Sequence, residues 1–266
     1  MKPFSLLVFL AVILVREKRV LYIIRDSVLS LLPTLLCKLI YFFGPDKGQS
    51  TESLVKKLYL WMIQANIQIG RTEASLCVVV LLVLYAIIYI KDHDPGSLEE
   101  FRFMIWGVFA IMAVFSVIVG INPYWITYMA PFFPLALLMS TKNLDFKLFL
   151  SLIADCSLIF YMCSVFDWVF GGQTTYAYLL LKRVYENKED IRSVSTFMGR
   201  LGLDIFNTTI AGVLLASMIV ICIISYMGIG DRSITEYKAK GIKSFFLMRI
   251  LILILWSVTC LYLLIR

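Results

Sequence analysis

Apolar runs with no polar side constrain this chain more than anything else in it. Ser75 to Ile90 and Ile205 to Ile229 are apolar on every face. A helix on a soluble core keeps a polar stripe and a half-buried strand alternates, so runs like these need apolar surroundings in all directions. A helix in lipid meets that demand because it satisfies its own backbone; strands of a membrane barrel would show short alternating segments instead. With 61% hydrophobic and only 16% charged residues, the expected class is all-α. The chain reads as one integral domain over residues 1–266, multi-pass in the cell membrane and in contact with its lipids. About eight transmembrane helices are expected, seven if Phe4 to Val15 does not span, plus two interfacial amphipathic helices.

The spans follow in order. Phe4 to Val15 is short, and the charge of Arg16-Glu17-Lys18-Arg19 lies behind it, the reverse of a cleavable signal. Val20 to Gly44 is the second span, with Pro33 inside and Arg25-Asp26 near one boundary. Beyond Glu52, Leu54, Leu58, Trp61, Ala65 and Ile69 recur at helical spacing with Lys56, Lys57, Gln64 and Gln68 on other faces, which predicts a helix lying on the membrane surface. Ser75 to Ile90 and Phe103 to Gly120 are the third and fourth spans, joined by a loop over 91–102. Asn122 caps and Pro123 opens a fifth, which reaches Ser140. Phe146 to Phe170 is the sixth. A second surface helix, with Ala177, Leu181, Val184 and Tyr185 on one side, falls within Gly171 to Asp204. Ile205 to Ile229 and Ser244 to Ile265 complete the set.

The net charge of +7 sits mostly between spans and at their ends, so it orients the chain and predicts no nucleic acid partner. The windows 16–19, 91–102, 141–147 and 229–243 fall on one side by alternation, and they are roughly twice as dense in Lys and Arg as those opposite. They are placed in the cytoplasm. Both long loops, the Asn122 hairpin and the N-terminus then face outward. A chain starting outside with a short helix is expected to work with a further N-terminal portion, encoded upstream or as a separate partner chain.

Few side chains carry chemistry. Asp155 lies roughly 13 Å into the sixth span, where an ionised carboxylate needs a partner or a proton, whether its role is functional or structural. Asp167, beside Trp168, sits near the outer end of the same helix. About 120° of rotation separates the two aspartates, so they form no acid/base pair on one face. Pro131 and Pro134 remove backbone donors and leave the carbonyls of Thr127 and Ala130 without ladder partners. That describes either a kinked packing helix or a broken one lining an outward polar cavity. His93, the one histidine, with Asp92 and Asp94 beside it, reads as a solvated turn rather than a metal site. The six cysteines fall in apolar runs without Cys-x-x-Cys spacing and read as small hydrophobes. No nucleotide-binding, zinc-hydrolase or serine-hydrolase motif is present, so no cofactor or metal is expected.

Three strings carry a likeness. Asn122-Pro123-Tyr124-Trp125, then Met129-Ala130-Pro131-Phe132, then Asp167-Trp168-Val169-Phe170-Gly171-Gly172 resemble the C-terminal portion of bacterial polytopic glycosyltransferases of the GT-C type. These are mannosyltransferase-like enzymes that use polyprenol-phosphate-linked sugars. The resemblance covers approximately residues 100 to 172. It implies transfer of a sugar from a lipid-linked donor on the extracytoplasmic side. Asn122, Pro123, Tyr124, Trp125, Asp155, Asp167 and Trp168 are the candidate substrate-binding residues. The family takes its catalytic base from an acidic residue in the first outer loop, which neither Asp46 nor Glu52 matches in order, so the catalytic residue is unassigned. Two other readings stay open: a transporter or flippase component, and a non-catalytic membrane partner subunit.

Overall fold

The structure is a computed structural model and describes residues 4–42, 65–69, 72–119, 129–139, 143–165, 194–230 and 240–265. It is mostly helical, and two of its helical segments, Leu144–Val165 and Leu203–Met227, have the length and hydropathy to cross a membrane. The described residues group into two compact units.

The first unit takes residues 1–142 and 225–232. Helix α1 (Phe4–Arg16) buries Ala11, Leu14 and Val15 at helical spacing. After the link Glu17 to Arg19 comes α2 (Val20–Phe42), which carries Pro33 inside. The missing proline N–H leaves the Leu29 carbonyl without its ladder partner. Val20, Leu21, Ile24, Val28, Leu29, Leu32, Leu35 and Leu36 of this helix are exposed, an apolar surface that water would not favour.

The predicted surface helix is corrected at its end. Asn66–Ile69 and Thr72–Ser75 form an antiparallel hairpin, β1 and β2, with Asn66 opposite Ser75 and Ile69 opposite Thr72. Ala65 and Ile69 match a helical spacing, but Asn66-Ile67-Gln68-Ile69 also alternates, and only two residues separate it from its partner strand. Leu54, Leu58, Trp61 and Gln64 lie outside the described residues.

Ser75 ends the hairpin and caps α3 (Leu76–Ile90), its hydroxyl accepting from the Val78 N–H at 3.4 Å. Helix α4 (Leu98–Val114) starts five residues earlier than its apolar run suggests. Ser97 accepts from the Glu100 N–H at 3.0 Å, and the Glu100 carboxylate accepts from the Gly96 N–H. This reciprocal cap carries the polar stretch Leu98 to Arg102 into the helix. From Ile105 to Ala113 every residue of α4 is buried, so it is the central helix of the unit. A π-helical turn, Phe115–Val119, follows. Gly107 lets α3 come close: a Cβ there would stand 3.1 Å from Ile88 Cδ1.

The fifth predicted span is also changed where it is described. Met129 is helical, Ala130 and Pro131 form a turn, and α5 runs only over Phe132–Leu138. Pro131 precedes that helix and Pro134 lies in its first turn, where an N–H would lack an intrahelical partner in any case. The prolines therefore open a new helix instead of kinking a long one.

The second unit takes residues 143–224 and 233–266. Helix α6 (Leu144–Val165) follows Asn143, which adopts the left-handed φ of 53° that asparagine tolerates. After α7 (Val194–Arg200), Gly202 reverses the chain at φ 67° into a 3₁₀ turn, Leu203–Phe206. Helix α8 (Asn207–Met227) follows directly, and its last three residues belong to the first unit. Helix α9 (Lys240–Ile265) is the longest described. Cys163 of α6 and Met198 of α7 form a buried cluster with Ile159, Phe160, Leu203 and Trp256 packed on it. The predicted surface-helix residues Ala177, Leu181, Val184 and Tyr185 lie outside the described residues.

Candidate functional site

Asp155 is the candidate that the structure describes, and it has a partner. Its carboxylate Oδ2 lies 2.8 Å from Arg249 Nε. Asp155 stands about 17 Å along α6 and Arg249 about 14 Å along α9 at 1.5 Å per residue, so both charges sit well inside apolar helices. The Arg249 Nη2 also donates to the Ser151 hydroxyl at 2.5 Å, and that hydroxyl donates to the Leu148 carbonyl at 2.7 Å. One turn further back is Lys147. Lys147, Ser151 and Asp155 recur every four residues and so share one face of α6; the first two are fully buried.

The sequence explains why they meet. Ile159, Phe160 and Cys163 continue beyond Asp155 while Trp256 continues two turns beyond Arg249, and the same cluster joins them. Helices α6 and α9 therefore run in the same direction, with the two charges in register. The guanidinium neutralises the carboxylate, which an aspartate in an apolar helix requires. The Asp155 and Arg249 side chains nevertheless keep 37% and 29% of their surface exposed. Two of the five guanidinium N–H groups serve the contacts to Asp155 and Ser151, so a polar group arriving from outside meets both a carboxylate edge and remaining donors.

Asn122, Pro123, Tyr124, Trp125, Asp167 and Trp168 lie outside the described residues. Arg249, Ser151 and Lys147 were not singled out by the sequence reading. A lone arginine in the run Phe245 to Trp256 is a sufficient signal for the first, since a cation there demands a counter-charge as much as Asp155 does.

The first unit has a polar centre of its own where α1, α3 and α4 end or begin. Lys18 Nζ donates to the carbonyls of Ile88, Tyr89 and Lys91 at 3.1, 2.7 and 2.9 Å, closing the C-terminal end of α3. In return the Tyr89 hydroxyl donates to the Lys18 carbonyl at 3.0 Å. Arg16 lies 3.8 Å from Glu100, and Arg102 donates to the Ile229 carbonyl at 3.5 Å. Lys91 holds its ammonium 5.4 Å from the Phe103 ring centre and 5.0 Å from that of Tyr226. Trp106 stacks on Phe103 and tilts against Tyr226.

The reading of His93 as a solvated turn is corrected. Its side chain is 1% exposed and packs on Phe103 at 4.5 Å between ring centres. Asp92 and Asp94 are exposed, and among the described residues no group of three or more His, Cys, Asp or Glu side chains is placed to hold a metal ion.

Fold and site together define a mostly helical chain with two membrane-length helices and a charge pair set between apolar helices. No protein-family model, curated protein or solved structure matches it.

Proposed function

We propose that this is a multi-pass protein of the cell membrane, with about eight spans, that transfers a sugar from a lipid-linked donor on the extracytoplasmic side. The observation that carries this reading is the helix interruption at Ala130 and Pro131, inside the Met129-Ala130-Pro131-Phe132 string that likens the chain to polyprenol-dependent glycosyltransferases. The Ala130 carbonyl stands before the first turn of α5 and outside its ladder, and in lipid such a group must be met by a neighbour, water or a ligand. Exposed apolar surface along α2 and α9 supports the membrane placement.

The Asp155–Arg249 pair favours a second reading, movement of a polar head group across the bilayer, since its charges lie too far along their helices for a site at the outer surface. One experiment separates the two. The purified chain in vesicles is given a labelled polyprenyl-phosphate sugar, and transfer to an acceptor and passage between leaflets are measured separately. Under the transferase reading, Asn122→Ala and Trp125→Ala abolish transfer at normal expression. Under the second reading, Asp155→Asn and Arg249→Gln abolish passage and no transfer is found. Activity of either kind that none of these variants changes would remove both proposed sites.

A further inference from the structure

The loop from Lys91 to Ser97 is held by an arrangement that its charge alone does not explain. His93 is enclosed, yet neither ring nitrogen has a hydrogen-bond partner among the described residues. Its Nδ1 lies 3.5 Å from a Glu99 carboxylate oxygen, and the same oxygen lies 4.0 Å from the Lys91 ammonium. The ring packs tilted against Phe103, the ring over which Lys91 also sits. Two residues of one short loop are thus pinned to one aromatic side chain, itself fully buried. The charged and titratable groups around the imidazole are Lys18 from the α1–α2 link, Lys91 in its own loop, and Glu99 and Glu100 from the first turn of α4. Tyr226, from the end of α8, joins them across Phe103. Asp92 and Asp94 flank it on the exposed side of the loop.

A neutral imidazole suits this place. It packs as an aromatic ring, and two cations, Lys91 and Lys18, stand nearby. An imidazolium does not suit it. Both nitrogens would then be donors needing acceptors; the Glu99 carboxylate beside Nδ1 is already shared with Lys91, and the Glu100 carboxylate is held by the Gly96 N–H and Arg16. Burial, with Lys91 as the next cause, pushes the His93 imidazole below its ordinary value of 6.5, while Glu99 opposes them.

We propose that the Lys91–Ser97 loop is an acid-released latch: His93, packed neutral on Phe103 between Lys91 and Glu99, keeps it closed, and protonation of the ring frees it from the Phe103, Trp106 and Tyr226 cluster. The ring must leave to find solvent for its second N–H, and the Lys91 ammonium leaves its seat with it. The sign follows from proton counting. Between the lowered value and 6.5 the closed loop binds fewer protons than the open one, so closure is complete above pH 6.5 and weakens as the pH falls through that window. The latch needs no assumption about substrate. It places the junction of α1, α3 and α4 under acid control in a chain with one histidine to sense it.

Its single histidine makes the test direct. In the full chain in lipid nanodiscs, the Cε1–H resonance of His93 is followed from pH 8 to 4.5. Hydrogen exchange of the 91–97 amides, corrected for the intrinsic effect of pH, is measured in parallel. The expected result is a midpoint below 6.5, with opening of the loop rising by up to about tenfold per pH unit through the window. His93→Phe keeps the packing without the proton and is expected to stay closed throughout, whereas His93→Lys is expected to be open even at pH 8. Should His93→Lys fail to fold, His93→Phe against the native chain still decides. A midpoint at or above 6.5 overturns the latch, and so does the same pH dependence of exchange in His93→Phe.

Discussion

At the scale of single residues, the demand that dominates is the cost of an unpaired charge. Asp155 was legible in the sequence because a carboxylate inside an apolar helix has few solutions. Its partner was less legible, since matching Arg249 to it requires the relative depth and direction of two helices that are not consecutive in the chain. The structure supplies both, and an asymmetry follows. Removing one member strands the other, whereas removing both leaves an apolar contact. A fully buried pair broken on one side costs about 3–5 kcal/mol. Here both side chains keep about a third of their surface, which reduces the figure to roughly 2 kcal/mol. Asp155→Leu and Arg249→Leu are each expected to lower the unfolding midpoint in detergent, and the double variant to recover most of the loss. If the double variant merely adds the two losses, the pair is not coupled and its 2.8 Å contact carries no stabilising weight.

At the scale of elements, hydropathy located helices and local chemistry set their ends. The apolar run beginning at Phe103 marks the fourth helix but hides its true start, because Leu98-Glu99-Glu100-Phe101-Arg102 looks like loop to a hydropathy reading. The signal that finds the start is Ser97 followed three residues later by Glu100. Ser97→Ala is accordingly expected to cost about 1 kcal/mol and to fray the first turn of α4, read as faster amide exchange at Glu99 to Arg102 with the rest of the helix unchanged. The hairpin was missed for a different reason: Ala65 and Ile69 fit a 3.6-residue period as well as their neighbours fit a period of two, and only pairing with Thr72 to Ser75 breaks the tie. Gly107 gave no sequence signal at all, since glycine inside an apolar helix has no face. Its role is the approach of α3 to α4 at Ile88. Gly107→Val is expected to push the two helices apart and destabilise the unit by about 1–3 kcal/mol, the usual range for overpacking. Adding Ile88→Ala should restore much of that loss by thermal unfolding. No rescue would mean that the clash lies elsewhere.

At the scale of the whole molecule, the threading within each unit makes the charge pattern interpretable. In the first unit α1 and α3 run the same way: Tyr85, in the second half of α3, donates to the Leu7 carbonyl near the start of α1, and Lys18, just past the end of α1, closes the carbonyls at the end of α3. Among the described residues one long helix, α2, lies between them in the chain. In the second unit α6 and α9 also run the same way, with α8 as the long helix between among the described residues. Under the multi-pass proposal each parallel pair would require an odd number of crossings between its members, as up-and-down passage through a bilayer gives. The windows 16–19 and 91–102, grouped by charge density, meet in the first unit through Lys18 with the end of α3 and through Arg16 with Glu100, and Arg102 reaches Ile229 from a third. Lysine and arginine gathered in this way are expected in the cytoplasm. In a chain with its six cysteines replaced, Asp94→Cys and Ser233→Cys should react with a membrane-impermeant thiol reagent only after the vesicle interior is opened to it, in right-side-out preparations. Asn122→Cys should react at once. Because the sides were assigned by alternation of spans along the sequence, a result that placed Asp94→Cys outside would invert every other assignment with it, moving Asn122 and Trp125 to the cytoplasmic face and leaving an extracytoplasmic sugar transfer without its site.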